Sequence, residues 1–448
     1  MTVLDQDTVD YYRSWLDYRR WFLRVPGVQV AVAEHAEPVL SAAFGSADLD
    51  TGAPLTERHL FRIASHSKSY AAVAGLQLLE QGRLRLDDTL GERVPELAGS
   101  AVAAVTLGEL LSHGGGVIRD SEDGDFWQGW RDFPDRDGLL AIATETSAAV
   151  IGRNERFKYS NIGYGLLALA LEAVGGASFA DQVADRIVGR LGLADTGTDL
   201  VPARHGELAA GHGTLANGRQ RQTIPHVHTG ALAAATGCYA TASDLVAFYS
   251  ALLPGQQVLL NADSLRLMRH RQWDVKGAET GYGLGLMLTR LGERDLFGHS
   301  GGYPGHITRT FGCTETGLVV SVLTNAIDGP AEPLAAALFR LVDLAKAASH
   351  RPAERAERYV GRFSSLWGLQ DVAAIGGRLY LLNPTVPNPA EDAAPLEVVD
   401  EASLRIVGGS GGGSYGELVR FEFDPDGSPR SIRGDSGITM TRFEQPPF

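Results

Sequence analysis

Apolar positions recur along this chain in two rhythms. Between Gly27 and Gly45 they fall in two short runs, GVQVAVAEH and PVLSAAFG, parted by a polar turn, which predicts a strand pair. From Ser65 to Gln81 the rhythm changes, with Tyr70, Val73, Leu76, Leu78 and Leu79 recurring near helical spacing and Gly82 closing the run. Further helices are predicted at Leu107–Ser112, Asn161–Val174, Phe179–Leu191, Ala242–Leu252 and Pro333–Ala348. Short apolar blocks at Tyr282–Leu288, Asp295–Gly298, Ile307–Phe311 and Leu318–Leu323 return the pattern to strands. Strands early, helices in the middle and strands late predict an α+β domain whose sheet joins both ends of the segment.

Beyond Ala348 the pattern changes again. His350–Arg358 is polar and charged, and reads as a linker. After it come only strand-like runs: Tyr359–Phe363, Arg378–Leu382, Leu396–Val399, Leu404–Val407, Leu418–Phe423 and Ile438–Phe443. Their spacing predicts a small antiparallel barrel or sandwich, with the Gly/Ser run Gly408–Ser414 as a hairpin loop. The expected organisation is therefore a catalytic domain over 1–348, a linker over 349–358 and a β domain over 359–448.

Charge narrows the choice of partner. A formal net charge of −14 disfavours nucleic acid and anionic membrane. Asp5, Asp7, Asp10 and Asp17 arrive early, with no apolar core of a secretion signal before them, which predicts a cytoplasmic protein. Cys238 and Cys313 are too few for a disulfide framework. Of 40 basic residues only Lys68, Lys158, Lys276 and Lys346 are lysines. Arginine does not lose its proton at working pH, so a lysine on this background invites attention.

Ser65-His66-Ser67-Lys68 opens the predicted helix. Positions i and i+3 share a helix face, so the Ser65 hydroxyl and the Lys68 amine are expected within hydrogen-bonding reach. The helix amino terminus adds N–H groups and positive potential for a developing oxyanion. Serine needs an adjacent base to act as a nucleophile, and a lysine serves once burial lowers its pKa. By the same logic Lys68→Arg is expected to fold normally and lose activity. Ser-x-x-Lys alone is a weak signal, since an exposed first turn looks the same; here it occurs once in a lysine-poor chain.

Two more elements follow. In Phe157-Lys158-Tyr159-Ser160-Asn161 the tyrosine offers a phenolate base or proton relay, and Asn161 offers an amide to a substrate carbonyl. A packed tyrosine with Asn161 as a helix cap is the structural alternative. In His299-Ser300-Gly301-Gly302, lying among the late strands, an edge strand could border a cleft and the Gly302 N–H could complete an oxyanion hole. His226-Val227-His228 has metal-ligand spacing, but no Cys/His/Asp partner is evident nearby in sequence, and the pair reads as loop histidines.

Taken in order, Ser65-x-x-Lys68, Tyr159-x-Asn161 and His299-x-Gly301 resemble the three active-site motifs of the serine β-lactamase and penicillin-binding-protein superfamily. FRIAS, LLSHGGG, FKYSN and TGCYATASDL agree, and the resemblance covers roughly residues 25–345. It implies a transpeptidase-like α+β fold, an antiparallel sheet flanked by helices with a helical subdomain. It further implies Ser65 as nucleophile, Lys68, Tyr159 and His299 as its catalytic partners, Ser65 and Gly302 N–H groups as oxyanion hole, and Asn161, Ser300 and Gly301 as substrate contacts. No metal or redox cofactor is implied.

One departure sets the subclass. Penicillin-hydrolysing members carry Lys-Thr-Gly where this chain has His299-Ser300-Gly301, and histidine is mostly neutral at pH 7. His-x-Gly resembles the D-aminopeptidase, D-amino-acid amidase and esterase branches, and penicillin-binding-protein-type thioesterases. The carboxy-terminal segment is similar to the lipocalin-like domain of those thioesterases, and Arg442 stands where an arginine of that domain reaches the cleft. The expected activity is release and head-to-tail cyclisation of a nonribosomal peptidyl thioester, offered on a peptidyl carrier protein. The alternatives are a D-stereospecific peptidase, amidase or esterase, and a non-catalytic penicillin-type sensor.

Overall fold

The computed structural model describes residues 4–276, 279–347, 356–409, 414–434 and 436–446. Most of the expected linker, and residues 410–413 of the expected Gly/Ser hairpin loop, lie outside them. Backbone contacts gather the chain into two compact units, Pro26–Glu332 and Met1–Val25 with Pro333–Phe448. Among the described residues no single helix is long and apolar enough to cross a membrane.

The first unit is built on a nine-stranded sheet. In chain order its strands are β1 (Gly27–Glu34), β2 (Glu37–Asp48), β3 (Ala53–Pro54), β4 (Trp273–Lys276), β5 (Thr280–Tyr282), β6 (Met287–Leu291), β7 (Arg294–Tyr303), β8 (His306–Cys313) and β9 (Leu318–Thr324). They lie side by side as β3-β2-β1-β9-β8-β7-β6-β5-β4. The pairs β1/β2 and β1/β9 are antiparallel, so the early hairpin and the last strand meet in mid-sheet, as the sequence pattern predicts. Every residue of β1 and β9 is buried, which is why both read as near-continuous apolar runs. The one amide inside β1, Gln29, is satisfied at both ends. Its Nε2 donates to the carbonyls of Thr56 and His59, each at 3.0 Å, and its Oε1 accepts from the N–H of Ala242 at 2.6 Å.

Two helices matter most for the site. Helix α1 (Ser67–Glu80) is buried along nearly its whole length, and helix α2 (Asn161–Gly175) is buried over its first eleven residues. The expected strand Tyr282–Leu288 is interrupted: β5 ends at Tyr282, β6 starts at Met287, and Gly285 between them turns with φ +65°. A Cβ at Gly285 would stand 2.7 Å from the Lys68 carbonyl and 2.5 Å from the Ala72 Cβ. Only glycine allows both that backbone angle and that approach.

The second unit is a closed antiparallel barrel of eight strands: β10 (Gly361–Ser365), β11 (Gly368–Ile375), β12 (Arg378–Leu382), β13 (Ala394–Asp400), β14 (Ser403–Ile406), β15 (Leu418–Phe423), β16 (Pro429–Arg433) and β17 (Thr439–Arg442). Its core gathers Phe363, Leu379, Leu396, Leu404, Val419, Phe421 and Ile432. Six strands are those the sequence pattern predicts; β11 and β16 are additional. The same unit holds an amino-terminal helix, Gln6–Phe22, capped by Asp5 and anchored by Trp15, whose Nε1 donates to the Pro384 carbonyl at 3.1 Å. Arg442 lies exposed on the closing strand, where it pairs with Phe363.

Candidate active site

Ser65 stands at a strained corner. Phe61 and Arg62 pair with Ala240 and Tyr239, and the chain then turns through Ala64 at φ +48°, a left-handed conformation that costs an alanine about 1–3 kcal/mol. Ser67 braces the turn. Its Oγ donates to the Ala64 carbonyl at 2.6 Å and accepts from the Cys238 N–H at 2.9 Å. Ser65 therefore lies in a single 3₁₀ turn, Ala64–His66, just before α1 rather than inside it.

Lys68 lies one turn on, with 0% of its surface exposed. Its Nζ is 2.8 Å from the Asn161 Oδ1, 2.8 Å from the Ala235 carbonyl and 3.2 Å from the Ser65 Oγ. Burial pushes its pKa well below the ordinary lysine value; Asp120 works against that shift and Arg119 with it. A neutral amine has two N–H donors and one lone pair. As an ammonium Nζ donates to all three oxygens; once deprotonated, with both donors on the two carbonyl oxygens, it has its lone pair for the Ser65 O–H.

Tyr159 completes the group, its hydroxyl 2.6 Å from the Ser65 Oγ. Burial raises its pKa to about 12, against the lowering effects of Ser65 and Arg119. The phenol thus keeps its proton at neutral pH, and a phenolate base is disfavoured. Ser160 is the cap of helix α2, accepting from the Gly163 N–H at 2.7 Å. That leaves the Asn161 amide free to face Lys68, so the capping alternative does not hold.

A carboxylate that the sequence pattern does not reveal sits behind Asn161. Asp120 Oδ1 accepts from the Asn161 Nδ2 at 2.7 Å and from the Trp127 Nε1 at 2.9 Å, and Arg119 lies 3.3 Å from its other oxygen. These contacts fix the Asn161 amide with its oxygen toward Lys68. Asp120 lies on a loop without periodicity, so no spacing betrays it.

The third motif is part of β7 rather than a loop beside it. Pairing of β6 with β7 ends at Met287–Gly298, so one edge of His299–Gly302 runs past its neighbour and borders the cleft. Gly301 is required there: a Cβ would fall 2.3 Å from the Ile63 carbonyl. His299 is buried, its Nδ1 2.7 Å from the Ser300 carbonyl and its Nε2 3.1 Å from the Tyr282 hydroxyl. The ring therefore donates through Nδ1 and accepts from Tyr282. Burial pushes its pKa down to about 3, so it is neutral. Its hydrogen bonds run to Ser300 and Tyr282 rather than to Ser65.

Ser65, Tyr159, Asn161, His299, Ser300 and Gly302 all line one cleft of about 500 Å³, with Trp127, Phe157 and Tyr282 among its aromatic walls. The family model for Beta-lactamase matches residues 19–344. Penicillin-binding protein 4 of Amycolatopsis lactamdurans is 28% identical over 352 residues, 74% of this chain and 88% of its own length. Esterase EstB of Burkholderia gladioli is 29% identical over 366 residues, 70% of this chain and 90% of its own. The structure of D-amino acid amidase from Ochrobactrum anthropi SV3, complexed with L-phenylalanine amide, matches with a TM-score of 0.61 at 26% identity, over 72% of this chain and 92% of that one. A family match across most of the chain joins a cleft that brings all three motifs together: the chain belongs to the Beta-lactamase family and is an enzyme of the serine hydrolase kind.

Proposed function

We propose that the enzyme forms an acyl-enzyme on Ser65 from esters and amides whose acyl part is a D-amino-acid residue, and that water resolves it. The observation that carries this is the disposition of Lys68, whose enclosed Nζ lies 2.8 Å from two carbonyl oxygens and 3.2 Å from the Ser65 Oγ. Once deprotonated, it keeps two hydrogens on the carbonyls and turns its lone pair to Ser65. As Ser65 Oγ attacks the carbonyl carbon, its proton passes to Lys68 Nζ. The resulting oxyanion is met by the N–H groups of Ser65 and Gly302. The C–N or C–O bond then breaks, and the leaving group takes a proton from the Lys68 ammonium through the Tyr159 hydroxyl. Water attacks the ester by the reverse path and frees Ser65. Asn161, held by Asp120, presents its amide to the substrate. The esterase and amidase relatives support this substrate class. Neutral His299 in place of a cationic lysine argues against strong penicillin hydrolysis.

A second reading is favoured by the barrel that accompanies the catalytic unit. In it the acyl group is a peptidyl residue received from a thioester, and the peptide's own amine takes the place of water. One experiment separates the readings: the pure protein is given D- and L-phenylalanine amides, and a peptide thioester ending in a D-residue. Faster turnover of the D-amide and a linear acid from the thioester support hydrolysis. A cyclic product supports the second reading, and no product from any of them removes both.

A further inference from the structure

Outside the cleft the fold gathers three imidazoles that the sequence keeps apart. His205 comes from the short turn Pro202–Glu207, and His226 and His228 flank Val227. Their ring centroids stand 5.1, 5.9 and 5.3 Å apart, close to an equilateral triangle. One ligand nitrogen from each lies within 4.8 Å of the other two. His205 and His228 are exposed and His226 half-buried, so an ion has a path from solvent. A tetrahedral Zn²⁺ with nitrogens at about 2.0–2.1 Å places them about 3.4 Å apart. Closing the triangle asks each ring to move by about an ångström, within reach of side-chain rotation on an open surface.

A carboxylate stands near one of these rings, just beyond hydrogen-bond distance. Asp199 Oδ2 lies 3.6 Å from the His228 Nδ1 and accepts from the Thr229 N–H at 3.0 Å. Such a carboxylate fixes the tautomer of a ligating ring and frees its other nitrogen for metal. The Arg62 Nη1 lies 3.2 Å from the His226 Nδ1 and 3.3 Å from its Nε2, so the His226 ring must turn away from that cation to bind an ion, and the Asp199 Oδ1 at 3.2 Å offsets its charge. We propose that His205, His226 and His228 form a zinc-type site, with solvent as the fourth ligand and Asp199 orienting His228.

The site has a line to the chemistry without taking part in it. The Val227 N–H donates to the Tyr303 hydroxyl at 3.1 Å, and that hydroxyl donates to the Val227 carbonyl at 2.7 Å. Tyr303 follows Gly302, and Arg62 stands three residues before Ser65. Metal-free full-length protein, carrying no polyhistidine tag, is titrated with Co²⁺ and followed by visible absorption. One equivalent is expected to give a saturating tetrahedral band that Zn²⁺ displaces. His226→Ala and His228→Ala should each weaken Co²⁺ binding by more than about 100-fold, and Asp199→Asn by about 10–100-fold. His205→Ala, at an exposed position, should lose the band while its melting curve in EDTA matches that of the parent. Absence of a saturable band, or a band unchanged in His205→Ala, overturns the proposal.

Discussion

Replacing Lys68 by methionine removes the amine while keeping a side chain of similar length. In the acylation step the Ser65 proton then has no amine to enter, and loss of a positioned general base costs typically 10²–10⁴ in rate, about 2.7–5.4 kcal/mol of barrier. Stability moves by a different route. The Asn161 Oδ1 and Ala235 carbonyl, each 2.8 Å from Nζ, are left unpaired, at about 1–3 kcal/mol apiece. Relief from burying an amine offsets part of that. Single-turnover mixing of excess enzyme with a p-nitrophenyl ester reads acylation directly, and a thermal melt reads the fold. The expected result is a folded protein with acylation slowed at least a hundredfold. A folded Lys68→Met that acylates within about tenfold of the parent refutes the assignment of Lys68 as base. Lys68→Arg is a poorer probe than its preserved charge suggests. The site is fully enclosed, so a larger and permanent cation disrupts packing as well as chemistry, and normal folding is no longer expected.

Three further outcomes follow from the same geometry. Tyr159→Phe removes the hydroxyl 2.6 Å from Ser65; steady-state kinetics should show kcat/KM down about 10²-fold or more with little change in the melt, and a loss under threefold would deny the relay. Gly285→Ala should destabilise by about 2–5 kcal/mol in urea unfolding, from its left-handed backbone and the contacts against Lys68 and Ala72, and a neutral result would contradict the close approach. Burial holds His299 and His306 neutral in the fold, with pKa values of about 3, whereas the unfolded chain takes up protons below about pH 6.5. Their stabilisation is complete above pH 6.5 and is lost as pH falls toward 3, at up to about 1.4 kcal/mol per pH unit each. His306→Gln should therefore flatten the fall of unfolding free energy between pH 6 and pH 4, and an unchanged slope would remove that histidine from the account.

What the sequence discloses depends on whether a residue's role follows from its spacing. Ser65 and Lys68 are visible because a helix turn joins positions three apart, and β1 and β9 because burial on every side leaves an unbroken apolar run. Strand β11 is hidden by Asp371, a buried carboxylate that breaks the alternation and is matched only in three dimensions by Arg362, through two hydrogen bonds of 2.8 Å. In β16 the exposed residues are both arginines, so PRSIR reads as a loop. The glycines of His299–Gly302 look like a turn, yet they continue β7, because Gly301 must pass against the Ile63 carbonyl. Asp120 and His205 have no periodic or local signal at all; each joins its partners across loops that only the finished fold brings together.

The central claim is that a neutral, enclosed amine makes Ser65 the nucleophile. Brief quenching after mixing with a p-nitrophenyl ester, followed by proteolysis and mass spectrometry, locates the acyl group. The account predicts one acyl mass on the peptide containing Ser65, absent from folded Ser65→Ala, which should also lose ester turnover. An adduct on another residue, or Ser65→Ala turning over as fast as the parent, would contradict it.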